Sequence, residues 1–168
     1  MGYVHDTHMS LFIDPKTFQH SAGTWTDTNA SNMWTSVRTA ANATWVTKIP
    51  IPIPQNSSAK KGSKLVSVDI FFVIATEAMD AVAAVLYKGT LPADGAAETT
   101  AAVTTTYDAG HDSAAERIDI DEHKMTLTLS TPAWLDDGDQ YYVEFSGDGN
   151  TNGVFSFVGA RANYTLRV

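Results

Sequence analysis

Residues 49–54 read Ile-Pro-Ile-Pro-Ile-Pro, and no other segment restricts the fold so sharply. In an extended strand the N–H and C=O of alternate residues point to the same edge. Pro50, Pro52 and Pro54 therefore strip one edge of donors, while Ile49, Ile51 and Ile53 keep theirs on the other. Such a segment cannot sit inside a sheet. It is expected as an edge strand or extended strap whose isoleucines share a face and pack on a core. A proline-rich linker is the alternative, against which the regular isoleucine spacing and the long domain that follows both weigh.

The rest of the chain agrees with a protein built from sheets. Residues 64–76, KLVSVDIFFVIAT, begin as an alternation and then turn apolar on both faces, as expected of a central strand covered on each side. In KMTLTLS, residues 124–130, Met125, Leu127 and Leu129 point one way and the threonines the other. In QYYVEFS, residues 140–146, Tyr141, Val143 and Phe145 share a face opposite Tyr142 and Glu144. Residues 77–88 are alanine-rich enough for a helix, but Val82, Ala84 and Leu86 alternate with Ala83, Val85 and Tyr87, which favours a strand over 80–88. Further strands are expected over 99–107, 153–158 and 160–168. Turn-rich stretches separate them about every ten residues, which is the cadence of a sandwich or barrel.

The expected fold is an all-β antiparallel sandwich, jelly-roll-like, with an extended N-terminal arm over 1–20 and a single sandwich domain over 21–168. A chain of 168 residues can bury roughly 70% of its unfolded surface, enough for one core. The arm carries Tyr3, Leu11, Phe12 and Ile13, which need a covering surface on their own domain or on a neighbour. A neighbour would make the arm an assembly device.

With no cysteine, disulfides and thiolate zinc sites are excluded. Lys plus Arg number 11 against 19 Asp plus Glu, a net charge of -8 with the bases scattered. Nucleic acid is therefore not an expected partner, because phosphate tracking needs a basic stripe. No apolar run approaches the roughly 20 residues that span a bilayer, so a membrane is not expected either, and the N-terminus shows no secretory pattern.

Tests for chemistry return little. His111-Asp112-Ser113 are adjacent and cannot fold back into a triad, and no nucleophile elbow is present. The carboxylates Asp119, Asp121 and Glu122, and Asp136, Asp137 and Asp139, read as solvated turns, although two carboxyls across a cleft would suffice for a glycosidase. His5 and His8 could share an ion but sit in the arm. Asp148, Asn150 and Asn152 match the opening of a calcium loop, yet its twelfth position, which requires Glu, is Gly159. No metal and no cofactor are expected, and a hairpin turn is the simpler reading. Asn42 and Asn163 head two of the four glycan-acceptor patterns, common accidents in a chain rich in Ser and Thr. Trp25, Trp34 and Trp134 could form a sugar-stacking platform, since the apolar face of a pyranose lies flat on an indole.

The segments IPIPIPQNS, LYKGTLPADGA, TYDAGHDSAAERIDIDEHKMTLTLSTPAWLDDGDQYYVE and GARANYTLRV, with the opening MGYVHDT, resemble small jelly-roll virion structural proteins of tailed phages and uncharacterised environmental viruses. The resemblance implies a jelly roll that decorates a capsid or builds a fibre, usually as a symmetric oligomer, with no catalytic residues to carry over. The expectation is a non-enzymatic structural subunit of a virion or similar extracellular assembly. Its partners would be copies of itself, other virion proteins and glycans. A lectin-like carbohydrate-binding module is the alternative.

Overall fold

The alternating segments become strands in the computed structural model, which describes residues 5–29, 33–55, 62–92 and 94–167. Tyr3 lies outside the described residues. In chain order the elements are β1 (Asp6–Ile13), a 3-10 turn (Pro15–Thr17), β2 (Gln19–His20), β3 (Trp25–Thr28), β4 (Thr35–Arg38), β5 (Thr44–Ile51) and β6 (Ser63–Ala75). They continue with β7 (Ala81–Thr90), β8 (Thr99–Ala102), β9 (Thr105–Tyr107), β10 (Glu122–Leu129), β11 (Asp139–Asp148) and β12 (Val154–Arg167).

The strands form two antiparallel sheets. One runs β3-β4-β12-β6-β10-β9, with β1 also on β12, and the other runs β2-β5-β11-β7-β8. Stripped to their centres, the orders are β4-β12-β6-β10 and β5-β11-β7-β8. The chain crosses between the sheets so that the last strand lies beside the first in one, and the last but one beside the second in the other. That is the jelly-roll arrangement of two Greek keys.

Period-two alternation fills the interior. Ile49 and Ile51 from β5, Leu86 from β7, Val143 and Phe145 from β11, and Leu127 from β10 are buried between the sheets. Part of the core is an aromatic cluster: Trp45 stacks on Phe145 at 5.7 Å, and Phe155 lies 4.7 Å from Trp45 and 5.3 Å from Phe72. Truncating any one of these phenylalanines is worth about 3–5 kcal/mol by analogy with other cores.

The proline segment divides in two. Ile49, Ile51 and Ile53 all face the core, and Pro50 stands opposite Tyr142 in the β5–β11 ladder. The strand ends at Ile51, where the Ile53 amide turns back to the Ile51 carbonyl at 2.9 Å, and Pro52 and Pro54 continue as an exposed strap. On its other edge β5 pairs with the two residues of β2, at Thr47 and Lys48, and the Val46 carbonyl accepts from the Ser21 amide at 2.9 Å.

The arm is laid on its own domain. β1 pairs with β12 from Asp6↔Arg167 to Ile13↔Ala160, burying Ile13 and half-burying Leu11, while Phe12 points outward and remains 53% exposed. The cause is the length of β12: β4 covers only Phe155 to Phe157 along that edge, and the rest would lie open without β1. Gly159 sits at the junction with φ +148°, and a Cβ there would meet the Phe12 ring and the Ile13 carbonyl.

Three expectations need correction. β6 is not covered on both faces, because Phe71 and Val73 point outward half-buried, Phe71 beneath the Arg161 guanidinium at 5.6 Å. Residues 99–107 are two strands in different sheets, β8 and β9, since Val103 and Thr104 carry the chain across. The strands expected over 153–158 and 160–168 are joined as one, β12 (Val154–Arg167), whose bulge at Gly159 keeps both halves facing the core.

Candidate binding groove

The outer face of the five-stranded sheet holds a concavity. Because Tyr141, Val143 and Phe145 point inward, Gln140, Tyr142 and Glu144 of β11 must point outward, as must Val85, Tyr87 and Gly89 of β7. Antiparallel register then builds two rows across the strands. The first is Pro50–Tyr142–Tyr87–Ala102. The second is Gln140–Gly89–Thr100.

In the first row the Tyr142 and Tyr87 rings lie nearly parallel, 5.3 Å between centroids and 12° between planes, with the Lys48 ammonium 5.2 Å from the Tyr142 ring. In the second row Gly89 leaves a floor without a side chain between Gln140 and Thr100. A Cβ added there would sit 3.4 Å from Gln140 Cγ, so anything longer would rise into the open space. The groove encloses about 390 Å³, is lined by Tyr142 with Tyr87 standing beside it, and reaches from Gln19 and Lys48 on one side to Glu98 and Thr100 on the other. With strands about 4.8 Å apart, five of them make it about 19 Å long.

An ion pair braces the base of the groove. Asp139 accepts from Lys88 Nζ at 2.7 Å, from Thr90 Oγ1 at 2.6 Å and from the Asp136 amide at 3.1 Å. Burial opposes ionisation of Asp139, but Lys88, Thr90 and the Asp136 amide outweigh it and hold its carboxyl below the usual range. The bond to Asp139 correspondingly raises Lys88, and burial raises the phenol of the neighbouring Tyr141. What the groove offers a ligand is flat aromatic surface, amides, hydroxyls, the Lys48 ammonium and the Glu98 carboxylate.

The three expected stacking tryptophans are not brought together. Trp25 is half-buried, stacked on His20 at 3.8 Å, and donates its Nε1–H to the Ala22 carbonyl at 2.9 Å. Trp34 is 42% exposed, but the Lys16 ammonium lies over its ring at 2.9 Å. Trp134 bridges to Lys64. Trp25 reaches Ile74 through Arg38 and Phe155, so about ten residues of β6, roughly 33 Å, separate the two ends. None of the three lines the groove.

The calcium-loop residues form the β11–β12 turn. Asp148 closes β11, and the Asn150 side chain accepts from the Thr151 amide at 2.5 Å. Among the described residues no three His, Asp or Glu side chains converge on one point. Asn163 is tied to Ser67 and Asp69 at 3.1 Å each, while Asn42 lies exposed between β4 and β5. Tyr87, Tyr142 and Gln140 were absent from the expected site. Their signal was present in the alternation, which placed Tyr142 opposite the core face of its strand.

No protein-family model matches the chain, and neither does any curated protein. Among solved structures, the family 11 carbohydrate-binding module of a Clostridium thermocellum cellulosomal cellulase aligns over 98% of this chain and 88% of its own, at 10% identity and a TM-score of 0.33. The Clostridium thermocellum family 11 module in complex with a β-1,3-1,4-mixed-linked tetrasaccharide aligns over 92% and 87%, at 10% identity and a TM-score of 0.34. At those scores neither carries an argument about what this chain binds.

Proposed function

We propose that this chain is a non-catalytic carbohydrate-binding domain whose ligand, an extended neutral oligosaccharide, crosses the outer face of the five-stranded sheet. The observation that carries the reading is the Tyr142–Tyr87 pair, two near-parallel rings flanked by Gln140, Lys48 and Thr100. Pyranose rings present an apolar face and an equatorial fringe of hydroxyls. An aromatic platform bordered by amides and hydroxyls answers both. A groove of about 19 Å accommodates a short run of sugar units rather than one.

The test is a screen of soluble neutral polysaccharides by affinity electrophoresis, followed by Tyr142→Ala against whichever binds. A central aromatic anchor is worth about 2 kcal/mol, so the substitution is expected to weaken binding roughly thirtyfold, while Trp34→Ala leaves it unchanged. Failure to bind any glycan, or binding that survives Tyr142→Ala, contradicts the reading.

A second reading, a structural subunit of a virion or similar extracellular assembly, is supported by a separate observation. Met9 and Phe12 of β1 stand 41% and 53% exposed, an unusual place for large apolar side chains on a paired strand. If copies associate through β1, Phe12→Ser is expected to lower the solution mass measured by light scattering. A chain that is monomeric at high concentration excludes this reading and leaves the first intact.

A further inference from the structure

His111 and His123 are both only 8% exposed, and each ring nitrogen of the pair faces a fixed partner. His123 Nε2 lies 3.0 Å from the Asp119 carbonyl, which can only accept, so that nitrogen carries a hydrogen. His111 Nδ1 lies 2.8 Å from Asp108 Oδ1. Asp108 also accepts from the Thr126 amide at 2.6 Å and the Gly110 amide at 3.1 Å. Burial opposes its ionisation, but these amides and the His111 ring hold its carboxyl below the usual range, so it is an acceptor and His111 Nδ1 carries a hydrogen. The two remaining nitrogens, His111 Nε2 and His123 Nδ1, face each other at 3.1 Å. If both rings were neutral, two lone pairs would meet there. Three contacts need three hydrogens, and two neutral imidazoles supply two.

What the pair holds in place is the connection between β9 and β10, residues 108–121. Its Arg117 donates Nε to the Val82 carbonyl at 3.0 Å and Nη1 to the His111 carbonyl at 2.7 Å, and it lies over Tyr107 at 4.5 Å. Tyr107 in turn donates to the Ala84 carbonyl at 2.8 Å and accepts from the Ala84 amide at 3.0 Å. The connection also takes the Met79 amide on the Ile118 carbonyl at 3.1 Å. β8 pairs with β7 only from Tyr87 to Thr90, so these contacts cover the part of the β7 edge that no strand covers.

We propose that His111 and His123 share one proton, and that this proton latches residues 108–121 across the open edge of β7. The charged groups of the connection are Asp108 at its start, Asp112, Glu116, Arg117 and Asp119 within it, and Asp121 at its end. β6 contributes the Phe72 ring, stacked on His123 at 4.5 Å. Glu122 and Lys124 flank His123 on the exposed face of β10. Because the His111–His123 contact is made only while the extra proton is present, the latch weakens as protons are withdrawn. Withdrawing the proton leaves lone pair against lone pair, and the β7 edge opens to strand addition.

Two measurements test this. Long-range 15N–1H NMR at about pH 5.5 should count three ring N–H hydrogens over the two imidazoles. Amide protection at Ala84 and Met79, corrected for intrinsic exchange, should fall at least about tenfold between about pH 5.5 and about pH 8.5. In His123→Asn the side-chain amide donates to His111 Nε2, the extra proton is no longer needed, and protection should become independent of pH. Two ring hydrogens at pH 5.5, or unchanged protection across the range in the wild-type chain, overturns the proposal even if the variant fails to fold.

Discussion

Asp69 shows how a residue on an outward face can be fixed as firmly as a core side chain. It projects from β6 away from the sandwich, yet its carboxylate is almost fully covered, because Arg161 donates to Oδ2 through Nε at 2.9 Å and Nη2 at 2.7 Å. Thr126 Oγ1 donates to Oδ1 at 2.8 Å and Asn163 Nδ2 to Oδ2 at 3.1 Å, so the group stitches β6 to both neighbours, β10 and β12. Burial opposes ionisation here too, but Arg161, Thr126 and Asn163 outweigh it and depress the carboxyl. A carboxyl depressed in the folded state contributes stability above the unfolded value near 3.9 and loses it as pH falls through the folded value. Asp69→Ala is therefore expected to cost about 2 kcal/mol in urea unfolding at pH 7. That cost should begin to shrink below about pH 4, where the carboxyl of the unfolded chain takes up a proton, and should vanish only below the depressed folded value. Arg161 is 40% exposed and can rehydrate, which keeps the cost below that of stranding a buried charge.

At the scale of elements, β12 carries the first sheet, pairing with β6 along one edge and with β4 and then β1 along the other. The extra residue at its bulge flips the parity of every side chain beyond it, so Phe155 and Phe157 before Gly159, and Ala160 and Ala162 after it, all face inward. Gly159→Val is expected to cost about 3 kcal/mol, lowering the melting temperature by roughly 6–12 °C, because it combines a strained φ with a collision against β1. Gly95→Val, also at positive φ but with open space around it, should cost less. Calorimetry of the two variants compares collision with strain. The same bulges mark where the sequence stopped being readable. Alternation is a local property, so the faces of β7, β10 and β11, and the buried isoleucines of the proline segment, could be read directly. An inserted residue such as Val158 looks like any other strand residue until its partner is known. The threonine-alanine tract around Thr99 to Tyr107 has no apolar face, and nothing in it announces a change of sheet.

At the scale of the whole molecule, the groove exists only because β11 lies between β5 and β7, three strands far apart in the chain. The outward placement of Tyr142 was legible, whereas its pairing with Tyr87 depended on that non-local register. The tryptophans, the more obvious aromatic signal, were taken up by the core, by His20 and by lysine contacts. On the readings proposed above, one sheet face takes a ligand and the His111–His123 connection controls one edge. Mapping amide and aromatic chemical-shift changes on titration with a soluble neutral oligosaccharide that the domain retains bears most directly on the groove. Shifts are expected to concentrate at Tyr87, Gly89, Gln140 and Tyr142. Changes centred on Trp34 or on the β1 face, with the tyrosine pair silent, would contradict it.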